Sequence, residues 1–286
     1  DATSITGVFG TQWDFSDNGE VAFEGVTASN RIGIFGRNVG GGGVFRRTTD
    51  ADSNDFRFWS PVVNGQGDFA VLLNFVGFPD NCGACLAGVV RQQIISNFGT
   101  IIDTNGGAFR ITHQEGGFTG LGFSHLMDMN NAGTLAFRAT LESGDVGIFT
   151  SASGGPPTTV VDTSGPFRDV SFPSINASGA TAFLATFDVG GGKGIFRGPN
   201  PITDKVIAIG DVFTTNSGAM RTVTDITGFG NDSHGSLGKV AFTIVDQFGE
   251  QHLVSGQRGL LIDIDFDNLL QLTTATDNSF DMSQVI

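Results

Sequence analysis

The chain has no tyrosine, only three lysines (Lys193, Lys205 and Lys239), two cysteines and two tryptophans in 286 residues. Its charge is sparse and one-sided: 15 Lys+Arg stand against 29 Asp+Glu, a formal net charge of −14. Nucleic acid and anionic membrane surfaces both require a basic face, so neither is an expected partner. No apolar run approaches the roughly 20 residues with which a helix crosses a bilayer, and membrane insertion is not expected. The chain starts at Asp1 with no charged-then-apolar leader, as a processed secreted protein would.

Catalytic motifs are missing too. There is no Gly-x-Ser-x-Gly elbow, His-Glu-x-x-His, phosphate loop or dinucleotide fingerprint. The four histidines, His113, His125, His234 and His252, are scattered one at a time and read as solvated or satisfied structural side chains. No catalytic residue, cofactor or metal ligand is assigned, and the chain is expected not to be an enzyme. A carboxylate pair assembled by folding stays open, which keeps a polysaccharide-active enzyme as an alternative.

What is abundant is glycine, 43 residues, and phenylalanine, 27. Both belong to a repeat. Asn176-x-x-Gly179-x-x-Ala182-Phe183 and Asn130-x-x-Gly133-x-x-Ala136-Phe137 are full copies, and Asn64-x-x-Gly67 with Phe69-Ala70-Val71 is a copy altered at its end. Ser16-x-x-Gly19-x-x-Ala22-Phe23 and Gly235-x-x-Gly238-x-x-Ala241-Phe242 lack the Asn. Asn opens a turn by bonding its own backbone, Gly supplies the positive φ that closes it, and the apolar run beyond is a strand.

A wider module surrounds each anchor. A second strand ends in Gly-Ile-Phe, at Gly33 to Phe35, Gly147 to Phe149 and Gly194 to Phe196. A third follows at Ile101 to Thr104, Val160 to Thr163 and Val206 to Ile209, and a fourth precedes the next anchor, as at Phe56 to Pro61 and Phe167 to Pro173. Four short strands per module over five modules predict a single all-β domain, residues 1–286, folded as a β-propeller of about five four-stranded blades. The Ala-Phe strands are apolar without polar alternation, which predicts cover on both faces, with Ala and Phe turned toward opposite blades. A β-solenoid or other radial β-repeat is the alternative. Solenoid coils take about 20 residues, and these anchors lie two to three times further apart.

Three features fall outside the repeat. Cys82 and Cys85, in Asn81-Cys82-Gly83-Ala84-Cys85, are expected to form a small-loop disulfide pinning an insertion. Asp263, Asp265 and Asp267 resemble the start of a calcium loop, but the places for its Gly and Glu hold Asn268 and Thr274. Alternation with Ile262, Ile264 and Phe266 favours a strand over calcium binding. Asn176-Ala177-Ser178 and Asn231-Asp232-Ser233 fit the glycan-acceptor pattern.

The repeat resembles the bacterial exported tandem-repeat surface proteins described by the Asn-x-x-Gly-x-x-Ala-Phe motif, the choice-of-anchor family. The resemblance runs through all five copies and the Ser-Phe-Pro-Ser-Ile-Asn approach at Ser171 to Asn176. It implies export, a propeller-like array and display at the cell surface. No sorting tail follows Ile286, a departure from the family's pattern.

Residues 1–15 and 277–286 compete for one strand position in this reading. Gly10 to Phe15 takes the slot of a fourth strand that would complete the last blade, and Phe280 to Ile286 aligns with Phe167 to Ile175. One is then spare and available to another chain. Trp13, Phe15, Phe280, Met282, Val285 and Ile286 become the expected assembly residues. The expected function is a secreted, non-enzymatic structural or adhesive surface protein that polymerises head to tail by terminal strand exchange. A lectin-like propeller binding surface glycans is the first alternative.

Overall fold

The computed structural model describes residues 5–16, 19–27, 31–37, 45–46, 51–52, 56–77, 88–105, 107–110, 127–231, 240–257 and 260–264. These form five antiparallel sheets and no helix. The first sheet holds β1 (Ile5–Phe15), β2 (Val21–Thr27), β3 (Arg31–Arg37) and β4 (Phe45–Arg46), with β5 (Ala51–Asp52) also against β3. The second runs β6 (Phe56–Val63), β7 (Phe69–Gly77), β8 (Gly88–Ser96), β9 (Gly99–Asp103). In the third, β10 (Phe109–Arg110) and β11 (Met127–Met129) both pair with β12 (Thr134–Leu141), followed by β13 (Val146–Ala152) and β14 (Thr158–Asp162). The fourth is β15 (Phe167–Ile175), β16 (Thr181–Phe187), β17 (Lys193–Phe196), β18 (Lys205–Ala208). The fifth adds one strand, β19 (Val212–Thr214), before β20 (Met220–Asn231), β21 (Val240–Asp246), β22 (Gln251–Gln257) and β23 (Leu260–Ile264).

Each sheet is a meander packed on the next in chain order, and neighbouring sheets meet mainly through the strand that precedes each anchor. This is the β-propeller architecture, with β1, β6, β11, β15 and β20 innermost. It replaces the solenoid alternative, because the hydrogen-bonded ladders stop at each sheet instead of running along a coil.

The anchor turn explains the pairing. Asn64 N–H bonds the Asp68 carbonyl and Gly67 N–H bonds the Asn64 carbonyl, and the same two bonds recur at Ser16, Asn130 and Asn176. The closing glycines Gly19, Gly67, Gly133 and Gly179 sit at φ 77, 84, 72 and 82°, which other residues adopt at a cost. Pro61 and Pro173, which cannot donate to a ladder, lie where the register slips between Trp59 and Val62 and between Ser171 and Ser174.

This turn corrects one expectation. The strand before each anchor opens the sheet of the anchor that follows and does not complete the preceding blade. β1 accordingly pairs with β2, Trp13 opposite Phe23 and Phe15 opposite Val21. The tight hairpin closes a much shorter loop than a return from the far end of the chain. Residues 5–15, with Trp13 and Phe15, are therefore the first strand of the first sheet, at its edge, and do not take the fourth-strand slot of the last blade. Phe280, Met282, Val285 and Ile286 lie outside the described residues, as do Cys82 and Cys85.

The Ala-Phe pair faces both ways, as expected. Phe137 packs with Ala70 and Ile94 of the second sheet, and Phe183 with Ile148 and Val161 of the third. Phe242 packs with Ala182 and Ile195 of the fourth. The Phe side thus meets the preceding sheet and the Ala side the following one. In the first, third and fourth sheets the Phe lies opposite the Phe of Gly-Ile-Phe, as in Phe137–Phe149 at 5.8 Å and Phe183–Phe196 at 6.2 Å between ring centres. Gly147 is required there, since a Cβ would stand 2.8 Å from the Phe149 ring. Phe137, Phe183 and Phe242 are buried, but Phe23, expected to match them, is only half-buried.

Candidate functional site

The anchors do more than turn the chain. Asn64 Oδ1 accepts the N–H groups of Gln66 and Asp68, leaving Nδ2 to donate to the Asn130 carbonyl of the next sheet at 2.9 Å. Asn130 repeats this. Its Oδ1 takes Ala132 and Thr134 N–H, and its Nδ2 donates to the Asn176 carbonyl at 3.0 Å. All three asparagines are buried, at 2% exposure or less. A ladder of side-chain amides thus joins the second, third and fourth blades. Ser16 can build the turn, its Oγ accepting Glu20 N–H at 2.8 Å, but carries no second donor. Asn176 Oδ1 takes Ser178 and Ala180 N–H, and its Nδ2 has no acceptor among the described residues. Full burial also closes Asn176 to the glycan its sequence pattern suggests.

Carboxylates and cations add rungs beside the ladder. Asp14 Oδ2 accepts Val63 N–H at 2.8 Å from the second sheet, and Asp128 Oδ2 accepts Ile175 N–H at 2.7 Å from the fourth. Arg138 Nε donates to the Val170 carbonyl and its guanidinium pairs with Asp169. Lys193 Nζ likewise donates to the Ile226 carbonyl and pairs with Asp225 at 2.6 Å. That Lys193 hydrogen bond leads the causes that hold Asp225 below the usual carboxylate range.

One titratable cluster was not legible from motifs. Asp246 makes the anchor turn between β21 and β22, its Oδ1 accepting Phe248 and Glu250 N–H at 2.8 and 2.9 Å. Its Oδ2 lies 3.2 Å from Arg221 Nε and 3.5 Å from His252 Nε2, and its side chain is wholly buried. Burial alone would push the carboxyl up. The Glu250 and Phe248 N–H groups and His252 outweigh it and hold the carboxyl below its ordinary value. Arg221 also reaches Glu250 at 3.7 Å and lies over the exposed Phe248 ring at 4.7 Å. His252 meets Phe213 edge-on at 5.0 Å.

Asp246, Glu250 and His252 are the one described trio whose ligand atoms lie close enough to share a metal, within 4.8 Å. Arg221 already supplies the cation facing these carboxylates, and the trio fits an ion-pair centre binding β20 to the β21–β22 turn. The Asp-x-x-Gly-Glu of 246–250 was the readable signal, but nothing local announced Arg221. Elsewhere, Asp263 sits in β23 opposite Val254, in keeping with the strand reading of its segment. Asp265 and Asp267 lie outside the described residues, as do His113, His125, His234 and the fifth anchor at Gly235. No described helix is long and apolar enough to cross a membrane.

No family model matches the chain, and no curated protein matches it. Among solved structures it is similar to TolB from Acinetobacter baumannii, at TM-score 0.39 and 15% identity, over 85% of this chain and 52% of that one. The chain thus spans about half the length of that protein. It is also similar to KlAtg21 in complex with the coiled coil of AgAtg16, at TM-score 0.41 and 12% identity over 85% and 67% of the two chains. A third is Aleuria aurantia lectin, a six-bladed β-propeller with a novel fucose recognition mode, at TM-score 0.30 and 9% identity over 88% and 78%. At such distances function has to be read from the chain's own geometry.

Proposed function

We propose that the protein is a non-catalytic structural or adhesive propeller displayed outside a bacterial cell. The observation that carries this reading is where the polar groups go. Asn64, Asn130, Asp14, Asp128, Arg138 and Lys193 each place at least one hydrogen bond from one sheet to the next. A rigid array with its chemistry turned inward suits a scaffold. The likeness of its repeat to choice-of-anchor surface proteins supports export and display, and self-assembly of copies is the mechanism we attach to it.

A screen of the purified protein on polysaccharides, esters and phosphoesters tests the first part. It should return background rates. Turnover abolished by one carboxylate pair would replace this reading with a polysaccharide-active enzyme.

Glycan binding is a second reading, favoured by Arg221 stacked on the exposed Phe248 beside Glu250. An exposed ring with flanking polar groups suits a sugar face. A glycan array carries that test: binding lost in Phe248→Ala would make the protein lectin-like.

A further inference from the structure

Asparagine followed by glycine is the pair most prone to close on itself, because glycine offers no side chain to keep its backbone nitrogen off the neighbouring carboxamide. The chain holds three such pairs, Asn18-Gly19, Asn64-Gly65 and Asn105-Gly106. Asn105 is exposed and Asn18 lies outside the described residues. Asn64 is buried, at 2% exposure. Four hydrogen bonds hold its carboxamide: Oδ1 accepts Gln66 and Asp68 N–H, and Nδ2 donates to the Asn130 carbonyl at 2.9 Å and to Asp68 Oδ2 at 3.0 Å. The nitrogen that would attack it is held as well. Gly65 N–H donates to Asn131 Oδ1 at 2.7 Å, a side chain of the third sheet's anchor turn. Glycine is what lets Asn131 come so near, since a Cβ on residue 65 would stand 3.0 Å from that same oxygen.

We propose that Asn64-Gly65 is a latent deamidation site, held closed by Asn131 and triggered when the second and third sheets part at this end. Once the turn opens, the Gly65 nitrogen gives up its proton and bonds to Asn64 Cγ, and the side-chain nitrogen takes up that proton and leaves as ammonia. One water then opens the succinimide ring to aspartate or isoaspartate at position 64. The product cannot resume the native contacts. Aspartate sets a carboxylate oxygen, with no proton to give, against the Asn130 carbonyl and Asp68, where Nδ2 had donated to both. Isoaspartate adds a backbone atom to a turn whose closing bonds run from Asn64 to Gly67 and Asp68. Opening is thus recorded irreversibly, and the rung between the two sheets is lost. Asn130 and Asn176 are followed by Asn131 and Ala177, whose side chains hinder the same closure, so Asn64 is the reactive rung of the ladder.

Peptide mass spectrometry of the full chain, incubated in mildly alkaline buffer, tests it by the mass gained when oxygen replaces NH at position 64. A synthetic peptide spanning Val62 to Phe69 sets the unprotected rate. Wild type should deamidate at Asn64 at least about tenfold more slowly than the peptide, and its Gly65 amide should exchange with deuterium slowly by a similar factor. Asn131→Ala should speed deamidation by roughly tenfold, the factor by which one lost buried bond favours the open turn. Asn131→Asp keeps an acceptor for Gly65 N–H and should stay near the wild-type rate. If Asn131→Ala fails to fold, Asn131→Ser shortens the same side chain, and the Gly65 exchange rate needs no variant. Thr215→Ala, which weakens the fifth sheet and leaves Asn131 in place, should not speed the reaction. Equal acceleration in Thr215→Ala and Asn131→Ala would overturn the proposal, because overall stability would then be what protects Asn64. So would a wild-type rate matching the peptide, a Gly65 amide that exchanges as in the peptide, or an unchanged rate in folded Asn131→Ala.

Discussion

The fourth and fifth sheets carry the same Ala-Phe pair on their second strands, yet bury it differently. On β16 Ala182 and Phe183 are both at 0% exposure, whereas on β21 Phe242 is at 1% and Ala241 is half-buried. The local sequence is nearly the same, and so is the cross-strand pairing, with Phe183 opposite Phe196 and Phe242 opposite Val254. What differs is the neighbour. β16 lies between Ile148 and Val161 on one side and the strands of the fifth sheet on the other. Cover on both faces is therefore conferred by position in the array, and the motif supplies only surfaces able to accept it.

The largest expected effect tests that contrast. Phe183→Ala should lower stability by about 3–5 kcal/mol, as for a core aromatic truncation. Phe23→Ala, at the half-buried equivalent, should cost less than about 2 kcal/mol. Urea titrations of both variants compare them. Equal losses would mean that the first sheet is as well covered as the fourth.

Next come the anchors. Asn130→Ala orphans the Ala132 and Thr134 N–H groups and breaks the bond to the Asn176 carbonyl, for about 2–3 kcal/mol. Thr215→Ala removes only bonds within its own turn, to Ala219 N–H and Ser217 Oγ, and should cost about 1 kcal/mol. If the two losses were alike, the cross-sheet ladder would contribute nothing beyond the turn.

Asp246 makes the same turn with a charge. Asp246→Asn keeps an acceptor for the Phe248 and Glu250 N–H groups but loses the ion pair with Arg221, at a cost of about 1–3 kcal/mol near neutral pH. Because its carboxyl titrates below the ordinary value of about 3.9, its contribution is complete above that pH. It is lost as pH falls through the depressed folded value. Thermal melts of wild type and Asp246→Asn between neutral and strongly acid pH should converge as acidity rises. The slope left in the variant belongs to carboxylates such as Asp225 and Asp103, the latter held well below its usual range first by Arg91 and also by Asn105 N–H and Gln93. Curves that stay parallel would show that the Asp246 charge stabilises nothing. The smallest effect is expected at Ile202, 84% exposed, where Ile202→Ser should change stability by less than about 0.5 kcal/mol.

The sequence by itself determined the local units. Asn-x-x-Gly encodes a turn because every bond closing it lies within four residues, as in Asn64 with Asp68. The alternation of Ala and Phe marks two faces before any neighbour is known. From these the all-β class and the sheet-by-sheet array were legible. Only the tertiary structure decided which sheet each pre-anchor strand joins, and so moved β1 from closing the array to opening it. It also decided that Asn64 and Asn130 donate across separations of 66 and 46 residues, and that Arg221 meets Asp246. Such contacts depend on how whole sheets are stacked. The energy of an amide or a guanidinium there is set by a carbonyl or carboxylate far away in the chain, which no local pattern specifies.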